Sequence, residues 1–392
     1  MNPGTRASSD ARADAGSRRT WRRAIVKVGT NLLTGGSDSL DDRVLADLAR
    51  QIAVLKGRKV EVLLVTSGAV AAGRDTLGAR GIRPEKRGVA YRQVLAAVGQ
   101  SRLMGAYERH FDAHGIAVAQ ALLSRNDLES RLGYLNIRNT LERLLALGVV
   151  PIVNENDVVA VEELENEVFG DNDRLSAMVA NAIDADVLVL LGEVEGLFSG
   201  DPNLDPGASL IPEVEKIDGG IERIAGPAVG GRSRGGMASK VEAARIACAF
   251  GATVIIASGR APDVLLRLND SERIGTRFSP AATPRESRKR WILTGVSSSR
   301  GGVVIDAGAV RALTQNGHSL LPAGIVGVQG AFQRGDIISI RATDESVLAW
   351  GITNYSSTDA QLLKGHRSED RMAIVASDYG PEVVHRNNMA LA

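Results

Sequence analysis

Six short apolar runs constrain most of this chain to one architecture. They lie at residues 24–28, 60–65, 117–123, 149–153, 186–191 and 253–257. Between them stand segments with helical spacing: 41–56, a small-residue stretch after Ala69, 89–110, 134–147, 174–183 and 241–249. In the first of these, Leu45, Leu48, Ile52 and Leu55 share one face. Strands alternating with helices of this length predict βα units and a largely parallel sheet, an α/β fold. Residues 253–257 are its expected last strand. Ligands of such sheets bind in the crevice outside the carboxyl ends of the strands.

Near residue 280 the pattern changes. Residues 279–290 are charged and contain proline. Beyond them come short β runs with glycine turns at 303–305, 324–328, 336–340 and 347–351, which predict a small, mostly β, barrel-like domain. The expected division is a disordered extension at 1–20, an α/β domain at 21–278, a linker at 279–289, a β domain at 290–375 and a tail at 376–392. With 392 residues the chain is long enough for two cores. Its net charge of +1 gives no global pull toward nucleic acid or membrane. The single Cys248 excludes an intrachain disulfide and fits a reducing compartment. Residues 1–20 are Arg-rich and lack the apolar centre of a signal peptide.

Several polar clusters sit where strands end. Lys27 interrupts the first apolar run, just before Gly29 and Thr30. A lysine there either snorkels from an edge strand or reaches a pocket at the strand end. Thr66-Ser67-Gly68-Ala69 joins a strand to a helix, so Ser67 is either a helix cap or part of an anion-binding turn. After the run at 149–153, two clusters follow: Asn154-Glu155-Asn156-Asp157 and Gly170-Asp171-Asn172-Asp173. That density of carboxylates and amides at the end of a buried strand is costly unless it binds something. Its acids either hold Mg²⁺ through water or orient lysines by charge-assisted hydrogen bonds. Residues 233–240 (SRGGMASK) form a Gly-rich turn opening a helix, read either as a flexible loop or as a phosphate cradle with Lys240. Eight of the 47 basic residues are Lys, so a lysine inside a motif is less expected as background. His110 and His114 have the spacing of a two-ligand metal face but no third ligand nearby, and Cys248 reads as core.

Taken together, residues 25–30, 65–69, 95–101, 153–157, 170–173 and 235–240 resemble the glutamate 5-kinases, members of the amino acid kinase family that open proline biosynthesis. The resemblance runs from about residue 22 to the end, and the part from about Lys289 resembles a PUA domain. It implies an αβα sandwich with ATP and L-glutamate bound across the carboxyl ends of the strands. It implies that Lys27 and Lys240 stabilise the transferring phosphoryl group and that Asp173 organises them. Ser67, Asp157 and Asn172 match glutamate-binding positions. Lys27, Gly192, Glu193 and the segment Arg234, Gly235, Gly236, Met237, Ala238, Ser239 and Lys240 fall on the ATP side. Mg²⁺ is expected with the ATP phosphates and not on a protein ligand set. L-proline as feedback inhibitor, a homo-oligomer, handover of the product to glutamyl phosphate reductase and a cytoplasmic location are implied too, without membrane contact.

The chain departs from the family pattern in three places. The loop between the two clusters is about three residues longer and carries Glu162, Glu163, Glu165 and Glu167. Gly192-Glu193 stands where Thr-Asp is usual, and Ser233-Arg234 where Gly-Thr is usual. Two other readings compete. One is an RNA-binding regulator acting through the PUA domain on a relic kinase fold. Nine Lys and Arg balance nine Asp and Glu from residue 290 onward, so no basic surface shows in bulk. The other is a sibling kinase of aspartate, acetylglutamate or UMP.

Overall fold

The structure, a computed structural model, describes residues 21–82, 88–159, 172–202, 204–226, 236–280, 292–293, 301–376 and 379–392. Its larger sheet is built by β1 (Arg23–Val28), β2 (Glu61–Val65), β3 (Val118–Leu123), β4 (Val150–Glu155), β5 (Val187–Gly192), β6 (Glu213–Val214), β7 (Thr253–Ser258) and β8 (Thr276–Phe278). The spatial order is β3-β4-β2-β1-β5-β7-β8-β6. The first six of these positions are joined by parallel pairing; β8 runs antiparallel to β7. The expected parallel sheet is present, but residues 253–257 do not end it. β8 and β6 follow them in the order of strands, and at three and two residues both are too short to show a period in sequence.

The chain first builds outward from β1 on one side through β2 and later returns to its other side with β5. The centre of the sheet is therefore its topological switch point, where an open α/β sheet opens its crevice. Side chains along β1 alternate between two cores. Ala24, Val26 and Val28 join the core with α2 (Asp42–Gly57) and α4 (Val89–Asp112). Ile25 joins the core with α6 (Arg131–Ala146), α7 (Asn172–Ala182) and α9 (Met237–Ala249). The two-residue period of a strand sends Lys27 to the same side as Ile25, toward α7 and α9.

The second sheet has the order β10-β9-β11-β12-β13. Its strands are β9 (Gly301–Ile305), β10 (Ile325–Gly330), β11 (Ile337–Arg341), β12 (Val347–Ile352) and β13 (Met389–Leu391). Helices Ala307–Thr314 and Ser357–Leu363 accompany it. Within the expected tail, residues 379–392 join this sheet: Val383 and Val384 are buried, and β13 pairs antiparallel with β12. A three-residue strand carries no periodicity that would have announced it. This sheet docks on α6 through an apolar cluster of Leu135, Ile292, Ile337, Ile352 and Ala390. Arg334 donates to Asn136 Oδ1 at 2.5 Å beside it. The expected extension at 1–20 and most of the linker at 279–289 lie outside the described residues.

Candidate active site

The residues singled out at strand ends converge on the carboxyl edge of the parallel strands. Lys27 is the fifth residue of the six-residue β1, Ser67 follows β2, Asn154 is the fifth residue of the six-residue β4, and Gly192 closes β5. From the helical layer, α7 contributes Asn172 and Asp173 in its first turn, and α9 contributes Ser239 and Lys240 in its own.

Lys27, Asp173 and Lys240 form a buried triad, only 4%, 0% and 6% exposed. Lys27 Nζ lies 2.5 Å from Asp173 Oδ1, and Lys240 Nζ lies 3.2 Å from Oδ2. Ser239 Oγ donates to Oδ2 at 2.8 Å, and the Ser176 hydroxyl donates to the Asp173 carbonyl at 2.5 Å. Burial pushes the Asp173 carboxyl up, but the charges of Lys27 and Lys240, with hydrogen bonds from Lys27 and Ser239, outweigh it. They hold its pKa down at about 2. Two ammonium groups on one carboxylate leave a net positive charge in a desolvated place. That charge suits an anion gaining charge near it, such as a phosphoryl group in transfer. Both oxygens of Asp173 thus face lysine ammonium groups.

The backbone beside the triad is shaped for close approach. A Cβ on Gly29 would lie 3.9 Å from Lys27 Nζ, so the ammonium sits over this turn. Gly68 starts α3 (Ala69–Ala79) with φ at +99°, a conformation that a side chain would strain. A Cβ on Gly192 would lie 3.5 Å from Lys240 Cε, ordinary contact distance, so this position borders the lysine side chain.

On the other side of α7's first residue runs a chain of amides. Asn172 Nδ2 donates to Ser67 Oγ at 2.9 Å and to Asn154 Oδ1 at 3.3 Å. Asn154 Nδ2 donates to Gln100 Oε1 at 2.8 Å. The side-chain roles of Asn154 and Gln100 escaped the sequence reading. Gln100 was detectable in principle, because it lies within the buried stripe of α4 formed by Leu95, Ala96, Gly99, Leu103, Ala106 and Tyr107. A polar residue in an apolar helical stripe asks for a partner.

The remaining expectations distribute as follows. Asp157 stands half-buried in the turn after β4. Glu193 pairs with Arg260 at 2.9 Å, both side chains well exposed, and among the described contacts it makes none to the triad. Gly236 precedes α9, and Met237 and Ala238 open it; Met237 packs on the core beneath. Arg234, Gly235, Gly170, Asp171, Glu162, Glu163, Glu165 and Glu167 lie outside the described residues. His110 Nε2 is 3.1 Å from Asp42 Oδ1. Cys248 is buried core, its thiol pushed up to about 12 by burial.

For a divalent metal the described residues provide no ligand set. They contain no group of three or more His, Cys, Asp or Glu able to hold one, and both oxygens of Asp173 face lysines. No described helix is long and apolar enough to cross a membrane.

Comparison with known proteins places these features in context. The Amino acid kinase family matches residues 22–258, and the PUA domain matches residues 301–375. Glutamate 5-kinase of Dehalococcoides mccartyi (strain CBDB1) is 47% identical over 371 residues, 95% of this chain and 98% of that protein. Glutamate 5-kinase of Shewanella amazonensis is 48% identical over 95% of this chain and 96% of its own length. The Herpetosiphon aurantiacus glutamate 5-kinase is 46% identical over 94% and 97%. With its parallel sheet, its triad at the strand ends and these relatives along its length, the chain belongs to the amino acid kinase family.

Proposed function

We propose that this protein is an ATP-dependent kinase of the γ-carboxylate of L-glutamate, forming γ-glutamyl phosphate for proline biosynthesis. The observation that carries the reading is the buried Lys27–Asp173–Lys240 triad at the sheet's switch point. Full-length relatives named glutamate 5-kinase support the substrate. A γ-carboxylate is ionised at neutral pH and needs no general base. The protein's task is then in-line positioning and neutralisation of charge on the transferring group. Lys27 and Lys240 reach the phosphoryl oxygens, and Asp173 fixes both lysines. Ser67, Asp157 and Asn172 hold L-glutamate. The turn from Arg234 to Lys240, with Gly192 and Glu193, faces ATP. None of the described residues forms a set that would hold Mg²⁺; bound with ATP, it would supply shielding of the phosphate charge.

The kinase domain spans residues 21–278 and the PUA domain begins at 290, joined by a linker at 279–289; the segment 379–392 completes the second sheet through β13. The resemblance to glutamate 5-kinases extends the reading to L-proline as feedback inhibitor, a homo-oligomer, a cytoplasmic setting and handover of the acyl phosphate to a reductase. The test is purified protein with ATP, Mg²⁺ and hydroxylamine, offered L-glutamate, L-aspartate, N-acetyl-L-glutamate or UMP in turn. Glutamate-dependent hydroxamate is the expected product. ADP release with UMP alone would overturn the assignment.

A further inference from the structure

The amide chain beside the triad ends on two atoms that have no hydrogen-bond partner among the described residues. They are Asn172 Oδ1 and Gln100 Nε2. Both side chains are deeply buried, 8% and 9% exposed. An amide can be turned over, so its oxygen and nitrogen are distinguished only by their partners. Here one backbone group fixes all three amides. The N–H of Glu155, which can only donate, bonds Asn154 Oδ1 at 2.9 Å. Asn154 must therefore point its NH₂ at Gln100, which answers with Oε1 at 2.8 Å. Asn172 must offer Nδ2 to the same Asn154 oxygen. Its own oxygen is left facing away, an acceptor waiting for a donor.

Gln100 reaches this chain because α3 and α4 touch at backbone level. A Cβ on Gly99 would lie 1.8 Å from the Ala69 carbonyl oxygen, and one on Gly73 would lie 1.9 Å from that of Leu95. Only glycine fits at both crossings, and the contact brings the next residue, Gln100, beside the start of α3 and Ser67.

We propose that Gln100 is a positioning residue that holds the Asn154–Asn172 relay in one polarity, so that the pocket selects an acidic substrate bearing a free ammonium. This rests on the reading of the crevice as a glutamate site. An unmet buried acceptor weakens binding, because its desolvation is not repaid. An ammonium meets it with a charge-assisted hydrogen bond, whereas a diacid with hydrogen at that carbon leaves it unpaired. Without the Gln100 carbonyl, the buried NH₂ of Asn154 has no acceptor, and the relay turns to find one.

The test compares the KM for L-glutamate with the inhibition constant of glutarate, the same diacid without the ammonium. Gln100→Met removes the acceptor, and Gln100→Glu keeps it. We expect Gln100→Met to raise the KM for L-glutamate about tenfold or more while the KM for ATP and the glutarate constant move by less than about threefold. Gln100→Glu should return the ratio of the two constants to within about threefold of the unaltered protein. If Gln100→Met does not fold, as judged by its thermal transition, Gln100→Ala serves in its place. A parallel rise in the glutarate constant, or equal impairment by Gln100→Glu, would overturn the relay. Absence of glutamate-dependent hydroxamate from the unaltered protein would instead remove the function on which it rests.

Discussion

Two buried charge clusters stand at opposite ends of α7, and they differ in whether their charges balance. At the helix C-terminus, Arg138 is completely buried and donates to the Ala182 carbonyl at 2.5 Å, to Glu142 at 2.6 Å and to Asp184 at 2.8 Å. A cation there also meets the negative end of the helix dipole. Arg23 joins it through Glu142 and by a bond to the Ile183 carbonyl. This cluster binds α6, α7 and the start of β1 to one another. At the helix N-terminus, Asp173 is shared by two lysines, leaving a net positive charge. Burial of charge alone therefore does not mark a functional site. The mark is buried charge that the described groups leave unbalanced, two lysines on one carboxylate, at the carboxyl ends of parallel strands.

Breaking each cluster separates the two roles. Arg138→Met strands Glu142 and Asp184, and we expect a loss of about 3–5 kcal/mol in unfolding free energy from denaturant titration. The kcat of the surviving folded protein should stay within about threefold of normal, since no group of this cluster reaches the crevice. In contrast, Lys27→Ala, Lys240→Ala or Asp173→Ala should each lower kcat by roughly a hundredfold or more in the hydroxamate assay, and the two lysine variants should do so with a far smaller change in stability, since Asp173 keeps its other lysine. Near-normal turnover in any of the three would end the triad assignment.

Acid sharpens the comparison further. The Asp173 carboxyl titrates near 2 in the folded protein, below its ordinary 3.8. A depressed folded value stabilises the native state above the unfolded value and loses that effect as pH falls toward the folded one. Asp173→Asn should therefore lose about 2 kcal/mol less stability than the unaltered protein between about pH 5 and pH 2. The smallest effect belongs to the surface. Glu193→Gln breaks an exposed pair with Arg260 and should change stability by less than about 1 kcal/mol, read from the thermal midpoint. A large loss of activity in that variant would instead give Glu193 a part in binding ATP.

Much of this arrangement was legible in the sequence. The run around Lys27, the turn at Ser67, the acid–amide clusters and the turn into Lys240 each break an apolar or helical pattern where a strand ends or a helix begins. Those breaks are local, and local patterns survive in one dimension. The short strands β6, β8 and β13 were not legible, because two or three residues cannot display a period. Nor was the docking of the second sheet on Leu135 of α6, which depends on residues some 200 positions apart in sequence.

What the sequence determined by itself was the alternation of strand and helix, the split near residue 280 and the identities of the charged residues at strand ends. Strand period puts Lys27 on the face of Ile25, and packing decided that this face meets α7 and α9. The tertiary structure alone decided which carboxylate the lysines share. It also turned Glu193 toward Arg260 and brought Gln100 through a glycine crossing into the amide chain. The reason is physical. Secondary structure follows from spacings of two and about 3.6 residues within one segment, whereas hydrogen-bond polarity and charge compensation are set by groups that meet only after the segments pack.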